Sequence, residues 1–139
     1  MSAASQIIRE AISTALAASP EAQALFGDPL RLADRPSRHL AFPHLSWGRA
    51  QTSDKSADGV DLIELRQDLM VWEQEGDAPA LTGQLRTLLR QLTINVAAPW
   101  CVISLVPVFT DTFNTNRLGV RRGLIRLRAV MGQIEEPTS

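Results

Sequence analysis

Residues Gly119 to Met131 read GVRRGLIRLRAVM. Apolar and basic side chains alternate along this segment, a period of two typical of a β-strand with one face in the core and one face in solvent. The apolar side carries Ile125, Leu127, Ala129 and Met131. The basic side carries Arg122, Arg126 and Arg128. The segment therefore predicts a long amphipathic strand.

Three other segments also predict long strands. In the first of them the apolar side carries Ile63, Leu65, Leu69 and Val71, and the polar side carries Glu64, Arg66 and Asp68. The other two are FPHLSWGRAQT (42–52) and WCVISLVPVFTDTF (100–113), which are rich in β-branched and aromatic residues. Because Pro107 lacks an N–H donor, we expect a bulge or an edge position there.

Helical signals lie before and between these strands. Apolar residues three and four apart predict a helix over 5–18 and a leucine-rich helix that begins after Asp77. Ser19-Pro20-Glu21 and Gly27 have the chemistry of the start and the end of a short second helix. A short extended piece between Pro29 and Pro36 is a candidate edge strand, because residues before proline avoid the helical region.

The order of these elements indicates the fold class. TSDKSADG (52–59) is a polar segment suited to an exposed, mobile loop, and Asn114-Thr-Asn116 supplies turn chemistry, so each pair of long strands predicts a hairpin. We predict one α+β domain over residues 1–134. Its antiparallel or mixed four-stranded sheet consists of two hairpins, flanked by the N-terminal helix and the central leucine-rich helix. Residues 135–139 are expected to form a flexible tail.

Composition excludes several classes of function. The 139 residues carry a net charge of −1 and one cysteine, Cys101, which argues against a duplex-binding protein, an intramolecular disulfide and a cysteine-rich metal site. The N-terminal segment carries charges inside its apolar stretch, so we expect a folded helix rather than a secretory signal. No apolar run reaches the length of a membrane span, and we expect a soluble protein without a membrane partner. Motifs of phosphate binding, hydrolysis and zinc catalysis are absent, so we predict no enzyme and no cofactor.

Three isolated features have a functional and a structural interpretation. His39 and His44 could bind a metal, and Cys101 could act as a nucleophile. The three tryptophans could stack on single-stranded nucleic acid. We favour the structural interpretation of each: turn or sheet histidines, a cysteine packed in the core, and tryptophans in the core or at a subunit contact.

Charge is distributed unevenly along the predicted sheet. Eight acids and two bases lie between Asp54 and Asp77, whereas five arginines and no acid lie between Arg117 and Arg128. These charges could form cross-strand ion pairs within one subunit, or a head-to-tail contact between subunits. The candidate interface residues are Asp61, Glu64, Arg66, Asp68, Arg122, Arg126 and Arg128.

Several short motifs, taken in order, resemble the tail-terminator or tail-completion proteins of long-tailed phages and gene transfer agents. They are AFPHLSWG (41–48), SADG (56–59), LMVW (69–72), the leucine helix and the closing segment GVRRGLIRLRAVM. Together they span nearly the whole chain. The resemblance implies a structural subunit of the virion or phage-like particle that assembles in the bacterial cytoplasm.

The resemblance implies specific partners as well. They are further copies of the chain in a ring, usually a hexamer, the tail tube protein, and the head-tail connector or stopper, with DNA passing through the ring without sequence recognition. Because a basic channel lining would hold phosphates, we expect Arg122, Arg126 and Arg128 to face a neighbour or to pair with the acidic hairpin. Asp54, Lys55 and Asp58 form a candidate docking loop for the tube or connector. A connector protein, or a ligand-binding regulatory α+β domain, is the alternative function.

Overall fold

The computed structural model describes residues 3–56 and 61–133. Within them the helices are α1 (Ala3–Ala17), α2 (Pro20–Phe26) and α3 (Ala78–Gln91). The strands are β1 (Leu32–Ala33), β2 (His44–Asp54), β3 (Leu62–Gln74), β4 (Trp100–Asn114) and β5 (Val120–Gln133). The predicted α+β class is confirmed, and each predicted long strand and helix is present within a few residues of its expected position.

The strands form one mixed sheet with the order β1-β2-β3-β5-β4. The prediction of four strands was wrong by one, because the short piece Leu32–Ala33 adds a fifth strand parallel to β2. The Leu45 N–H donates to the Arg31 carbonyl at 2.8 Å, which holds this piece against the start of β2. The extended segment between the two prolines therefore does pair as an edge strand. The other neighbours in the sheet are antiparallel.

The first hairpin extends further into the polar segment than its composition indicates. Thr52, Ser53 and Asp54 belong to β2, where they pair with Leu65, Glu64 and Ile63 of β3. Cross-strand pairing here overrides the turn preference of serine and aspartate. Residues 57–60 of the predicted loop and the predicted tail over 135–139 lie outside the described residues.

Local capping signals agree with the structure at the second and third helices. The Ser19 hydroxyl accepts the Ala22 N–H at 3.3 Å, Pro20 is in the first turn, and Gly27 ends α2 at φ 89°. Asp77 caps α3 in the same way by accepting the Ala80 N–H at 3.0 Å. These side chains satisfy N–H groups that have no partner inside the helix.

The core lies between the helices and one face of the sheet, which we call the inner face. α1 contributes Ile8, Ile12 and Leu16, all fully buried, and α3 contributes Leu81, Leu85, Leu88 and Leu89. The inner face contributes Leu65, Leu69, Val71, Ile125, Leu127, Ala129 and Met131. Both predicted apolar patterns, the helical stripes and the alternating strands, therefore point into one shared core.

The opposite face of the sheet, the outer face, carries the charged side chains, and β4 forms one edge of the sheet. The register of β4 against β5 shifts between Val102 and Ser104 and again between Pro107 and Phe109. The expectation for Pro107 is thus confirmed on both counts, since it lies beside a bulge and on an edge strand.

Gly123 allows α3 to approach β5 closely. A Cβ atom added at Gly123 would overlap the Oγ1 atom of Thr82, whose hydroxyl is fixed by a 2.7 Å hydrogen bond to the Ala78 carbonyl. The Gly123→Ala substitution is expected to lower the free energy of unfolding by about 1–3 kcal/mol, because α3 or the strand must shift. Gly83→Ala on the open side of α3 meets nothing and is expected to raise it by about 0.5–1 kcal/mol.

Urea unfolding of both glycine variants measures whether Gly123→Ala lowers and Gly83→Ala raises the free energy of unfolding. A Gly123→Ala protein as stable as the wild type would contradict the close approach of α3 and β5.

Candidate subunit interface

The outer face combines the polar sides of β3 and β5. Their antiparallel register sets Asp68 opposite Arg126 and Arg66 opposite Arg128, and runs unbroken from Leu62 to Gln74. Side chains of directly opposite residues lie on the same face of a sheet. Five of the seven predicted interface residues therefore lie together on this face in two ion-paired groups, Glu64 with Arg66 and Arg128, and Asp68 with Arg126.

The Arg126–Asp68 pair is bidentate. The Nε atom of Arg126 donates to Oδ1 of Asp68 at 2.9 Å, and a terminal nitrogen donates to Oδ2 at 3.2 Å. The side chain of Asp68 is only 8% exposed, whereas that of Arg126 is 37% exposed. The hydrogen bonds and the charge of Asp68 raise the pKa of Arg126. The two hydrogen bonds hold this pair in place on the outer face, and solvent reaches mainly its Arg126 side.

Glu64 joins two arginines. One carboxylate oxygen accepts from Nη2 of Arg128 at 2.9 Å, and the other accepts from Nε of Arg66 at 3.3 Å. The hydrogen bond from Arg128 lowers the pKa of Glu64. The prediction of cross-strand ion pairs within one subunit is therefore confirmed for Glu64–Arg128 and Asp68–Arg126.

Arg122 is placed differently from the other basic residues of the face. Its guanidinium lies over the rings of Trp72 and Phe113, 5.8 and 5.4 Å from their centroids. Its Nε atom is buried and finds no hydrogen-bond partner in the described part of the chain. Arg126 has a similar aromatic neighbour in Phe109, at 5.5 Å. The edge strand β4 thus covers two arginines of β5 with aromatic rings, an arrangement that stabilises a cation.

The acidic end of the first hairpin makes hydrogen bonds of its own. Oδ1 of Asp54 accepts the Ser56 N–H at 2.8 Å, and hydrogen bonds with Ser56 lower the pKa of Asp54. The Lys55 N–H donates to the Leu62 carbonyl at 2.9 Å, and Asp61 is exposed. Asp58, the third member of the predicted docking loop, lies outside the described residues.

Comparison with known proteins identifies the family of this chain. A family model described as tail completion protein gp17 matches residues 10–132. The chain belongs to this tail completion family. It is thereby a structural component of a phage-type tail, which confirms the resemblance seen in its motifs and the expected place in a virion.

A chain from a solved structure has the same fold as this chain. It is a chain described as the virion of a native gene transfer agent particle, with a TM-score of 0.75 and 16% sequence identity. The alignment covers 95% of this chain and 99% of that chain. At this identity the likeness shows the fold alone. No curated protein matches the sequence.

We did not predict the buried polar cluster that Gln67 forms with Arg9. Gln67 is 1% exposed on the inner face, where its side-chain oxygen accepts from Nε of Arg9 at 2.9 Å. Arg9 also donates to the Gly48 carbonyl at 3.1 Å, and burial lowers the pKa of Arg9. Gln67 interrupts the alternation of apolar residues in β3, and this interruption could have indicated the cluster. The cluster ties α1 to the register shift in β2 between Trp47 and Ala50.

The histidines and Trp47 have the structural roles that we favoured, Trp72 and Trp100 are half-buried, and Cys101 does not lie in the core. His44 is buried in β2, where burial lowers its pKa, and His39 lies in the preceding loop. Trp47 is in the core. Cys101 is half-buried rather than in the core, because it lies opposite Gly132 on the edge strand. Residues 3–56 and 61–133 hold no group of three side chains suited to a metal ion, and no helix among them could cross a membrane.

The pairing of Glu64 predicts a pH dependence of stability. Because the folded chain holds the pKa of Glu64 below its ordinary value of about 4.3, the pairing stabilises the fold above that pH and is lost as the pH falls through the lowered pKa. Glu64→Gln is expected to be less stable than the wild type at pH 7, with a difference that shrinks below about pH 4.

Urea unfolding at a series of pH values measures this difference. Asp111→Asn is the matched control, because its exposed carboxylate accepts a backbone N–H from Thr112 rather than binding an arginine. A difference for Glu64→Gln that stays constant from pH 7 to pH 3 would contradict the role given to Arg128.

Proposed function

We propose that the chain is a non-enzymatic ring subunit that ends the tail tube and joins it to the head connector. The family match over residues 10–132 carries this proposal. The similarity of the whole fold to a chain of a gene transfer agent virion supports it. The ring, which we take to be a hexamer as the resemblance implies, would stop addition of further tube protein and present a new surface to the connector.

The outer face supplies the proposed contact between subunits. Glu64 and Asp68 already bind Arg128 and Arg126, so a neighbour would meet the accessible sides of these pairs rather than bare charges. Three further residues complete the proposed contact surface: Arg66, Arg122 and Asp61. The side chain of Arg66 is 56% exposed, and the guanidinium of Arg122 lies over aromatic rings. Arginine and aromatic side chains are enriched among the residues that contribute most to protein interfaces.

Pairing of the arginines also suits the passage of DNA. Each free Lys or Arg that neutralises a phosphate releases counterions and holds the duplex. Arg126 and Arg128 are neutralised by carboxylates of their own chain, so this face would offer few free positive charges to the duplex. DNA would pass without sequence recognition. The loop with Asp54, Lys55 and Asp58 would dock on the tube protein or on the connector.

Loss of the protein tests the role in the tail. Particles made without it are expected to show overlong tail tubes that lack heads in electron micrographs, because nothing stops tube assembly. Normal-length tubes without heads would favour the connector or stopper role instead. Normal headed tails would contradict any role in this part of the particle.

The Arg126→Glu variant tests the placement of the outer face at the subunit contact. The carboxylate introduced at position 126 would lie opposite that of Asp68. We expect ring assembly to weaken by about tenfold or more, which corresponds to about 1.4 kcal/mol of association free energy. Sedimentation of the purified protein measures assembly.

The matched control exchanges the two charges, as Asp68→Arg with Arg126→Glu. This double variant keeps an ion pair within the subunit but inverts the pattern seen by a neighbour. Weak assembly of the double variant at an unchanged unfolding midpoint supports the interface. Recovery of the ring would show that Arg126 acts only within its own subunit.

A further inference from the structure

A cleft with aromatic and basic walls lies at one end of the outer face. It is open to solvent, has a volume of about 670 Å³, and lies between the loop that precedes β2 and the turn that joins β4 to β5. Phe42, His44 and Trp72 supply its rings, and Arg38 and Arg117 supply its positive charges. The volume is in the range of clefts that hold ligands.

The basic side chains of the cleft have no carboxylate partner. Arg38 and Arg117 are exposed, and neither forms an ion pair with any residue that the structure describes. The guanidinium of Arg117 lies 5.6 Å from the ring centroid of Phe42, which holds the cation at the wall without neutralising it. Glu73 and Glu75 lie near this end of the sheet but do not line the cleft. The cleft therefore suits an anionic group.

A buried imidazole in the lining of the cleft lacks a hydrogen-bond partner. His44 is 2% exposed, and its Nδ1 atom is hydrogen-bonded to no group in the described part of the chain. Burial lowers the pKa of His44, so the ring is neutral at pH 7 and has one donor and one acceptor nitrogen. A buried polar atom without a partner is unfavourable, and a peptide group, which both donates and accepts, would supply one.

The rings of the cleft are poorly placed to stack on nucleic-acid bases, because each of them already has a neighbour. Arg117 lies over Phe42. Arg122 lies over Trp72 at 5.8 Å, and His44 stacks on the same ring with 6.2 Å between the centroids. Single-stranded nucleic acid binds largely by stacking its bases on aromatic rings. A peptide combines carboxylates with N–H donors and therefore fits this cleft better than a nucleic-acid strand.

We propose that the cleft holds an acidic peptide segment of a second protein, whose carboxylates bind Arg38 and Arg117 and whose backbone groups reach His44. Arginine clusters recognise acidic motifs in this way, through charge-assisted hydrogen bonds. β2 runs from His44 in the cleft to Asp54 in the docking loop, so the two lie at opposite ends of the sheet. The cleft would thus meet the tube protein or the connector on the side away from that loop, an assignment that rests on the proposed function.

Titration of the isotope-labelled protein with blocked hexaglutamate, followed by nuclear magnetic resonance, tests the cleft. The amide signals of Ser37, Thr115 and Arg117, which line it, are expected to shift on addition of hexaglutamate. Blocked hexaglutamine, which has no carboxylates, is expected to leave them in place.

Two double variants of equal net charge separate the cleft from general attraction. Arg38→Gln with Arg117→Gln is expected to weaken hexaglutamate binding by about tenfold or more, because two arginine–carboxylate contacts are lost. The matched control is Arg35→Gln with Arg90→Gln, because both of these arginines are exposed and lie outside the cleft. The control is expected to bind almost as the wild type does.

A pair of substitutions at His44 tests its part in binding. His44→Phe keeps a ring without hydrogen-bonding nitrogens and is expected to weaken hexaglutamate binding by about fivefold, the effect of one hydrogen bond. His44→Gln keeps a donor and an acceptor and is expected to bind more tightly than His44→Phe. Unfolding midpoints of the same samples show that each variant is folded.

Three results would overturn the proposal. The first is the absence of shifts at millimolar hexaglutamate. The second is equal weakening by the two double arginine variants, which would show attraction by net charge alone. The third is tighter binding of a single-stranded thymidylate hexamer than of hexaglutamate, which would show that the cleft takes a nucleic-acid backbone.

Failure of this site is distinguishable from failure of the proposed function. Purified protein that ignores hexaglutamate overturns the site and leaves the effect of gene loss on tail length unchanged. Normal headed tails without the protein overturn the tail role whatever the purified protein binds.

Discussion

The unbroken antiparallel register between β3 and β5 is the constraint on which the rest of the structure depends. It sets Leu69 beside Ile125 on the inner face and Asp68 beside Arg126 on the outer face. A slip of one residue would send the arginines into the core, where an unpaired charge is strongly unfavourable. The bidentate Asp68–Arg126 pair therefore helps to specify the register as well as to stabilise it.

Features that depend on neighbours in sequence were predictable, and features that depend on distant segments were only partly so. The apolar stripe of α1, the Ser19 cap and the alternation of β5 are local patterns, and the structure contains all three. The position of β5 between β3 and β4 depends on pairings across the whole chain. The same applies to Thr52–Asp54, which are strand residues because β3 supplies partners for them.

The charged residues of the outer face were likewise predictable where they depend on local patterns and were missed where they depend on distant segments. Opposite charges on two alternating strands predicted that Glu64 and Asp68 would meet arginines, and they do. The aromatic neighbours of Arg122 and Arg126 were missed, because Phe109 and Phe113 come from β4 and their alignment depends on a bulge after Pro107. Gln67 was missed because its partner Arg9 belongs to a helix 58 residues away in sequence.

The interruptions of β4 also bear on how the open edge of the sheet can meet other chains. A long apolar edge strand is an open template for the strands of other molecules and favours aggregation. Two register shifts and a proline without an N–H leave only short uninterrupted stretches of that edge, such as Phe109–Asn114. These interruptions leave less continuous backbone on this edge for a strand of another molecule to pair with.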